Sequence, residues 1–463
     1  MTSEDLAFAD AVELASLLKR KAVSSVELTK IYLERLEKFG PRYGALVTLM
    51  PERAMREARR ADRERASGTL RSKLHGVPYG VKDLLATIGA PTTWGAAPYR
   101  NQHFDFDATV IRKLENAGAV LLAKLSMVEL AGGFGYNDAD ASFTGPGRTP
   151  WDRNFWSGGS SSGPGAATSA GLVGFSIGSE TDGSIVVPSA SCGVTGLRPT
   201  YGRVSRHGAM ALCWTMDKLG PIARSARDTD AVLRIIAGED PLDETAMTRP
   251  FARPQTRPRI AILKGSLLKL QPAVLKNFHR SVEELATFAT IVGERERPKA
   301  PWGATVGAIV NGECAAAFQD LIESGRSREL QSVDDRVGGY PQLAVRAVDY
   351  INALRQRKIM ARLLENAFAD VDAVIWPTMS TVAYPVGVPF DKAYPKYPGG
   401  SDLTTPGNLC GWPAIALPNG FGDHGLPTSL SIMSKPFAES VAADIAMRYQ
   451  ARTDYHKRRP KVS

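Results

Sequence analysis

Side chains able to do chemistry crowd into two short segments of this chain, Gly158-Gly159-Ser160-Ser161-Ser162-Gly163 and Gly178-Ser179-Glu180-Thr181-Asp182-Gly183-Ser184. Glycine permits tight turns and the close approach of a ligand, and serine supplies a compact donor, acceptor and potential nucleophile. By itself the first segment reads as a flexible or anion-binding loop. It also holds a formal Gly-x-Ser-x-Gly pattern centred on Ser161, but a nucleophile elbow needs a strand just before it. Residues 151–156 do not read as one. Neither a phosphate-loop pattern nor a Gly-x-Gly-x-x-Gly dinucleotide turn stands out.

A serine nucleophile needs a neighbouring base to take its proton. Of the 6 histidines, His456 lies in a terminal basic run, and His103 and His424 in loop-like sequence. His75 and His207 stand nearer the serine-rich segments, and spacing leaves them open. Lys82 alone reads as a surface charge paired with Asp83, and Ser184 alone as a helix cap or backbone hydrogen-bond donor.

Several stretches in order resemble the amidase signature family: Gly76-Val77-Pro78-Tyr79-Gly80-Val81-Lys82-Asp83, the run 158–163, Thr181 to Pro188, and Cys192 to Ser205. The likeness continues through Gly425-Leu426-Pro427 and Lys435-Pro436-Phe437, almost the full chain. It implies an α/β fold, a single large mixed β-sheet flanked by helices. It also implies a Ser-cisSer-Lys triad, with Lys82 as base, Ser160 as a bridge after a cis peptide, and Ser184 as nucleophile. An ordinary lysine, with a pKa of about 10.4, is charged at neutral pH, so Lys82 must be buried to serve. The same likeness assigns the backbone N–H groups of Thr181, Asp182, Gly183 and Ser184 to an oxyanion hole. It puts Ala131, Gly132, Gly133 and Phe134 opposite the nucleophile, with Phe134 either a pocket wall or core, and Val187 beside it. No cofactor and no metal are implied.

Family members acting on carboxylate-bearing substrates can place an arginine just after the nucleophile. Here Ile185-Val186-Val187-Pro188 follows, so neutral or aryl amides are expected. Ester or carbamate (urethane) cleavage stays open, because acylation needs only a carbonyl and a leaving group. Arg198 and Arg203 are left to supply charge elsewhere or to support structure. The alternative is the glutaminase A subunit of a tRNA-dependent amidotransferase, handing ammonia to a companion protein. A silent scaffold is a third reading.

The elements that must hold these residues are legible in part. The chain has 463 residues, 43% hydrophobic and 23% charged, enough for a sizeable core. Its net charge is +9, with basic residues clustered, among acids, at 53–65 and again in a tail at 456–461. No aromatic-laced basic stripe accompanies them, so nucleic acid is not an expected partner. The 4 cysteines are too dispersed for a metal or redox site. No apolar run reaches the roughly 18 residues of a membrane span, and the start lacks a signal-peptide pattern. A cytoplasmic protein without membrane contact is expected, acting on a small-molecule amide or carbamate, with a homodimer admitted.

Helical periodicity covers 7–40 in two helices, with a Ser24/Glu27 capping box, and 54–65 in a polar third. Strands are expected near 78–81, 119–123, 371–376, 414–417 and 429–433, and helices at 110–117, 343–368 and from 438. One domain, 1–463, is expected, with a helical N-terminal region 7–65, a catalytic core 74–235 and a variable middle 240–345 covering the sheet. Trp376, Cys410 and Trp412 fit either a late pocket wall or core.

Overall fold

The computed structural model describes residues 2–462. Three helices open the chain: α1 (Ser3–Ala7), α2 (Ala11–Lys19) and α3 (Ser25–Phe39). The two helices expected in 7–40 are α2 and α3, and the short α1 before them starts at a capping box formed by Thr2 and Asp5. The expected Ser24/Glu27 box starts α3. Next come β1 (Leu46–Leu49) and α4 (Pro51–Ala66), whose buried face is Ala54, Ala58 and Ala61. The basic character of α4 is largely internal, since Arg53 pairs with Glu57 at 2.7 Å and with Asp107 at 2.8 Å.

The central run is β2 (Pro78–Lys82), α5 (Thr109–Asn116), β3 (Val120–Leu125), α6 (Ser162–Ser169), β4 (Phe175–Glu180), α7 (Val186–Cys192), β5 (Thr195–Arg198), β6 (Lys218–Ala223) and α8 (Ala226–Ile236). Residues 240–345, expected only to cover the sheet, also extend it. They supply β7 (Arg259–Leu263), α9 (Pro272–Ala286) and β8 (Thr290–Arg295), a parallel β-α-β unit. Ile260 and Ile262, alternating along β7, and the adjacent pair Ile291 and Val292 in β8 carry these strands, and loop-like flanks hide them in the sequence. Then follow α10 (Trp302–Ala317), α11 (Gln319–Glu323), α12 (Val333–Gln342), α13 (Ala347–Ala367), β9 (Ala373–Pro377), α14 (Phe390–Ala393), α15 (Thr404–Leu409), β10 (Ala414–Phe421), β11 (Pro427–Ser434) and α16 (Glu439–Gln450).

Among the described residues, all strands join one mixed 11-stranded sheet in the order β1-β3-β2-β4-β6-β5-β10-β11-β9-β7-β8. Its centre is buried on both faces, as the unbroken burial of β2, β3, β4, β5 and β6 requires. Parallel pairing of β2 with both β3 and β4 brings the carboxyl ends of three strands together. In α/β sheets such ends face the ligand crevice. Trp376 and Trp412 pack into the core rather than standing as pocket walls.

Candidate active site

Lys82 ends β2, and its register with β4 (Val81 opposite Ile177) sets it beside Ser179. Its Nζ donates to Ser160 Oγ at 2.7 Å and to Ser179 Oγ at 2.9 Å. Asp83 is not its counterion. That carboxylate turns to Lys124 Nζ at 2.9 Å and accepts from the Thr93 amide at 3.0 Å. Lys82 thus sits 0% exposed with hydroxyl partners, and burial pulls its pKa down to about 7 against the opposing charges of Asp217 and Glu180. A substantial neutral fraction at physiological pH follows.

Ser160 enters α6 behind a cis Gly159–Ser160 peptide bond. The glycines of this segment allow tight packing: a Cβ on Gly163 would lie 2.4 Å from the Ser126 amide nitrogen and 2.7 Å from the Ala45 carbonyl oxygen. The Ser161 N–H donates to the Ser184 carbonyl at 3.3 Å, so the two serine-rich segments touch. No hydrogen bond joins the Ser160 and Ser184 hydroxyls. The second link of the expected relay is open here, with the Ser184 hydroxyl free to turn.

The turn after β4 is held from behind. Glu180 Oε2 accepts the Ile185 N–H at 2.8 Å and the Val186 N–H at 3.1 Å. Its Oε1 accepts from Arg198 Nη1 and Asn408 Nδ2, each at 2.8 Å. Arg198 is therefore a structural cation, as is Arg203, which pairs with Glu439 at 3.0 Å. Both are fully buried, and neither lines the cleft described below. Gly183 adopts φ +91°, a left-handed conformation that suits glycine. Among the described residues, the amides of Thr181, Asp182, Gly183 and Ser184 donate to no protein oxygen. They are available to an oxyanion. The Asp182 side chain accepts from Thr405 at 2.8 Å, away from proton-transfer chemistry.

A cleft reaches this turn at Ser179 and Thr181 and is walled by Leu84, Met210, Leu212 and Trp214. Asp217 also lines it, but that carboxylate is occupied by the Thr181 hydroxyl at 2.6 Å and the Leu212 and Cys213 amides at 2.8 and 3.0 Å. Of the five expected substrate residues, Ala131 lines the cleft. Gly132 packs on the Tyr136 ring, and Gly133 turns its carbonyl to Gln342 at 2.7 Å. Val187 is half-buried beside Gly183. Phe134 resolves as core, edge-on to Phe318 with ring centroids 5.7 Å apart.

Histidine plays no part here. His75 bonds the Ala61 carbonyl at 3.0 Å, and His207 stacks on Phe106. Sequence reasoning missed Ser179, Glu180 and Asp217. Ser179 and Glu180 lie in the quoted motif, but only the strand register reveals which serine reaches Lys82. Among the described residues, no group of three or more His, Cys, Asp or Glu side chains is placed to hold a metal. No helix among them is long and apolar enough to cross a membrane.

The chain is similar to known proteins over almost its whole length. A family model described as Amidase matches residues 27–441. The A subunit of glutamyl-tRNA(Gln) amidotransferase from Moorella thermoacetica is 35% identical, over 99% of this chain and 99% of that protein. The native peptide amidase of Stenotrophomonas maltophilia superposes with a TM-score of 0.85 at 29% identity, covering 98% of this chain and 99% of its own. The corresponding glutamyl-tRNA(Gln) amidotransferase chain of Thermotoga maritima, again the A subunit, gives 0.81 at 26% identity, covering 99% of each chain.

Proposed function

The chain belongs to the amidase family, and from that premise we propose that it hydrolyses a carboxylic amide to an acid and an amine or ammonia through an acyl-enzyme on Ser184. The observation that carries this reading is Lys82, buried, without a carboxylate partner and 2.7 Å from Ser160 Oγ. Neutral Lys82 takes a proton through Ser160 as Ser184 Oγ attacks the carbonyl carbon. The amides of Thr181 to Ser184 receive the oxyanion. The proton returns through Ser160 to the departing nitrogen, and the C–N bond breaks. Water then attacks the ester by the same relay, releasing the acid and restoring Ser184.

The largely apolar walls of the cleft, whose lining arginine Arg206 is paired with Asp243 at 3.4 Å, and the engagement of Arg198 and Arg203 elsewhere support a neutral or aryl amide as substrate. A carbamate fits the same chemistry: the carbamoyl-enzyme on Ser184 would be hydrolysed to a carbamic acid that loses carbon dioxide. A second reading has its own support. The full-length likeness to amidotransferase A subunits favours the glutaminase role more directly than it favours aryl amides or urethanes. In that role the partner is a different subunit that receives ammonia.

Purified chain assayed on glutamine, aliphatic and aryl amides, esters and aryl carbamates, with both products measured, separates the two. Release of acid plus amine without a partner supports the first reading. Turnover confined to glutamine and dependent on a second protein replaces it with the other.

A further inference from the structure

The loop that carries Ala131 is fastened to the middle of the chain in an unusual way. Leu130 and Ala131 both hold positive φ, 49° and 54°. The same loop donates the Val128 N–H to the Ser160 carbonyl at 3.1 Å, so its placement bears on bridge and cleft alike. Helix α12 presses on it: a Cβ on Gly338 would lie 2.0 Å from the Phe134 carbonyl oxygen. Gln342 of that helix bonds the Gly133 carbonyl. At the start of α12, the Gln331 and Ser332 amides donate to the two Glu129 carboxylate oxygens at 2.9 and 2.8 Å.

Asp335, one turn into α12, is 0% exposed, as is Glu129. Neither Asp335 oxygen has a donor. Two buried carboxylates side by side repel strongly, whereas one shared proton converts the contact into a charge-assisted hydrogen bond. Glu129 already accepts two amides and is the natural carboxylate of the pair. We propose that Asp335 is a positioning residue for this substrate loop: as a neutral carboxylic acid it donates to the Glu129 carboxylate, and the shared proton fastens α12 to the loop.

The surroundings agree. Burial, then the Glu129 charge, then Asp138 and Asp334, all push Asp335 well above the usual carboxylate range. The Tyr136 hydroxyl and the Cys314 thiol of α10 also face this acidic group; burial and then Asp335 push the first up, and burial, then Asp217, then Asp335 push up the second. Arg336 is engaged by the Leu330 carbonyl at 2.7 Å, and Arg326 by Glu329 at 3.1 Å. At alkaline pH the proton leaves to water, the carboxylates repel, and the loop loosens.

The role of the loop rests on the amidase reading above, so the test has one arm independent of turnover. Infrared difference spectra of the full chain between neutral and alkaline pH are expected to lose a protonated-carboxyl band that is missing from Asp335→Asn. On an aryl amide, wild type is expected to lose kcat/KM above neutrality in a one-proton limb, mainly through KM. Asp335→Asn, whose amide donates without titrating, should keep neutral kcat/KM within about threefold and erase that limb. Asp335→Leu should lose about tenfold or more at every pH with an intact circular dichroism spectrum. Should the leucine variant fail to fold, the asparagine variant and the spectra decide. An unchanged carboxyl band or an unchanged alkaline limb in Asp335→Asn overturns the proposal. Failure to hydrolyse any amide would overturn the amidase reading while leaving the infrared result to judge the shared proton.

Discussion

Two lysines on neighbouring parallel strands, Lys82 on β2 and Lys124 on β3, are equally buried, and their surroundings differ in kind. Lys124 faces the Asp83 carboxylate at 2.9 Å, the Thr92 hydroxyl at 2.7 Å and the Leu85 carbonyl at 2.8 Å. Lys82 faces two serine hydroxyls. Burial disfavours charge at both sites; a carboxylate in direct contact offsets part of that penalty at Lys124, whereas only the more distant charges of Asp217 and Glu180 oppose it at Lys82. A buried pair holds structure together, whereas a buried amine among hydroxyls is poised to exchange protons. The lesson is that the identity of the partner, more than depth of burial, separates a structural lysine from a base.

The contrast is open to direct test. Ser184→Ala should remove acylation altogether and lower kcat by about 10⁴ or more without altering the melting temperature appreciably, read by product release and calorimetry. Lys82→Met should cost about 10³ in kcat/KM while the protein stays folded. An active Lys82→Met protein would break the comparison at its root. Lys124→Met should do the reverse. With Asp83 left buried and unpaired, stability should fall by about 3 kcal/mol in urea titration, with any loss of rate following the fraction unfolded.

The pH dependence sharpens the same contrast. Because Lys82 must be neutral to accept a proton, kcat/KM should rise with pH through about 7, to a plateau that persists at higher pH in Asp335→Asn and that wild type leaves in the alkaline limb described above. For stability, the folded pKa of about 7 lies below the ordinary lysine value of 10.5, so the unfolded chain binds more protons between those values. Stability contributed by this site should therefore rise with pH across that window, and Lys82→Met should flatten the slope. The smallest expected effect belongs to Ser179→Ala. Removing one of two hydroxyl partners should cost about three- to tenfold in kcat/KM and move the acid limb, measured as a full pH profile.

The two serine-rich segments stand out in the sequence because their glycine and serine motifs are local, whereas the roles expected of Lys82, Ser160 and Ser184 come from the family resemblance. The segments around Lys82, Ser160 and Ser184 are contiguous, and parallel strands deliver their ends to one edge. The Ser24/Glu27 cap of α3 and the apolar runs of β3, β9, β10 and β11 are local in the same sense. Strands β7 and β8 were not legible, since they are short, flanked by proline and charge, and gain their burial from a sheet built elsewhere in the chain. The direction of Phe134 was equally hidden: Phe318 and the glycines of α12, more than 180 residues onward, decide that the ring packs away from the cleft.

By itself, the sequence determined which residue types could act, where the backbone can turn, and that no arginine follows Ser184. Only the tertiary structure decided the charge states on which chemistry depends. Asp83 is the nearest acid to Lys82 along the chain, yet strand pairing turns it toward Lys124. Ser179 is 97 residues from Lys82 and becomes its hydrogen-bond partner. Proton affinity follows from burial and from partners brought together across the fold, and those partners are distant in sequence.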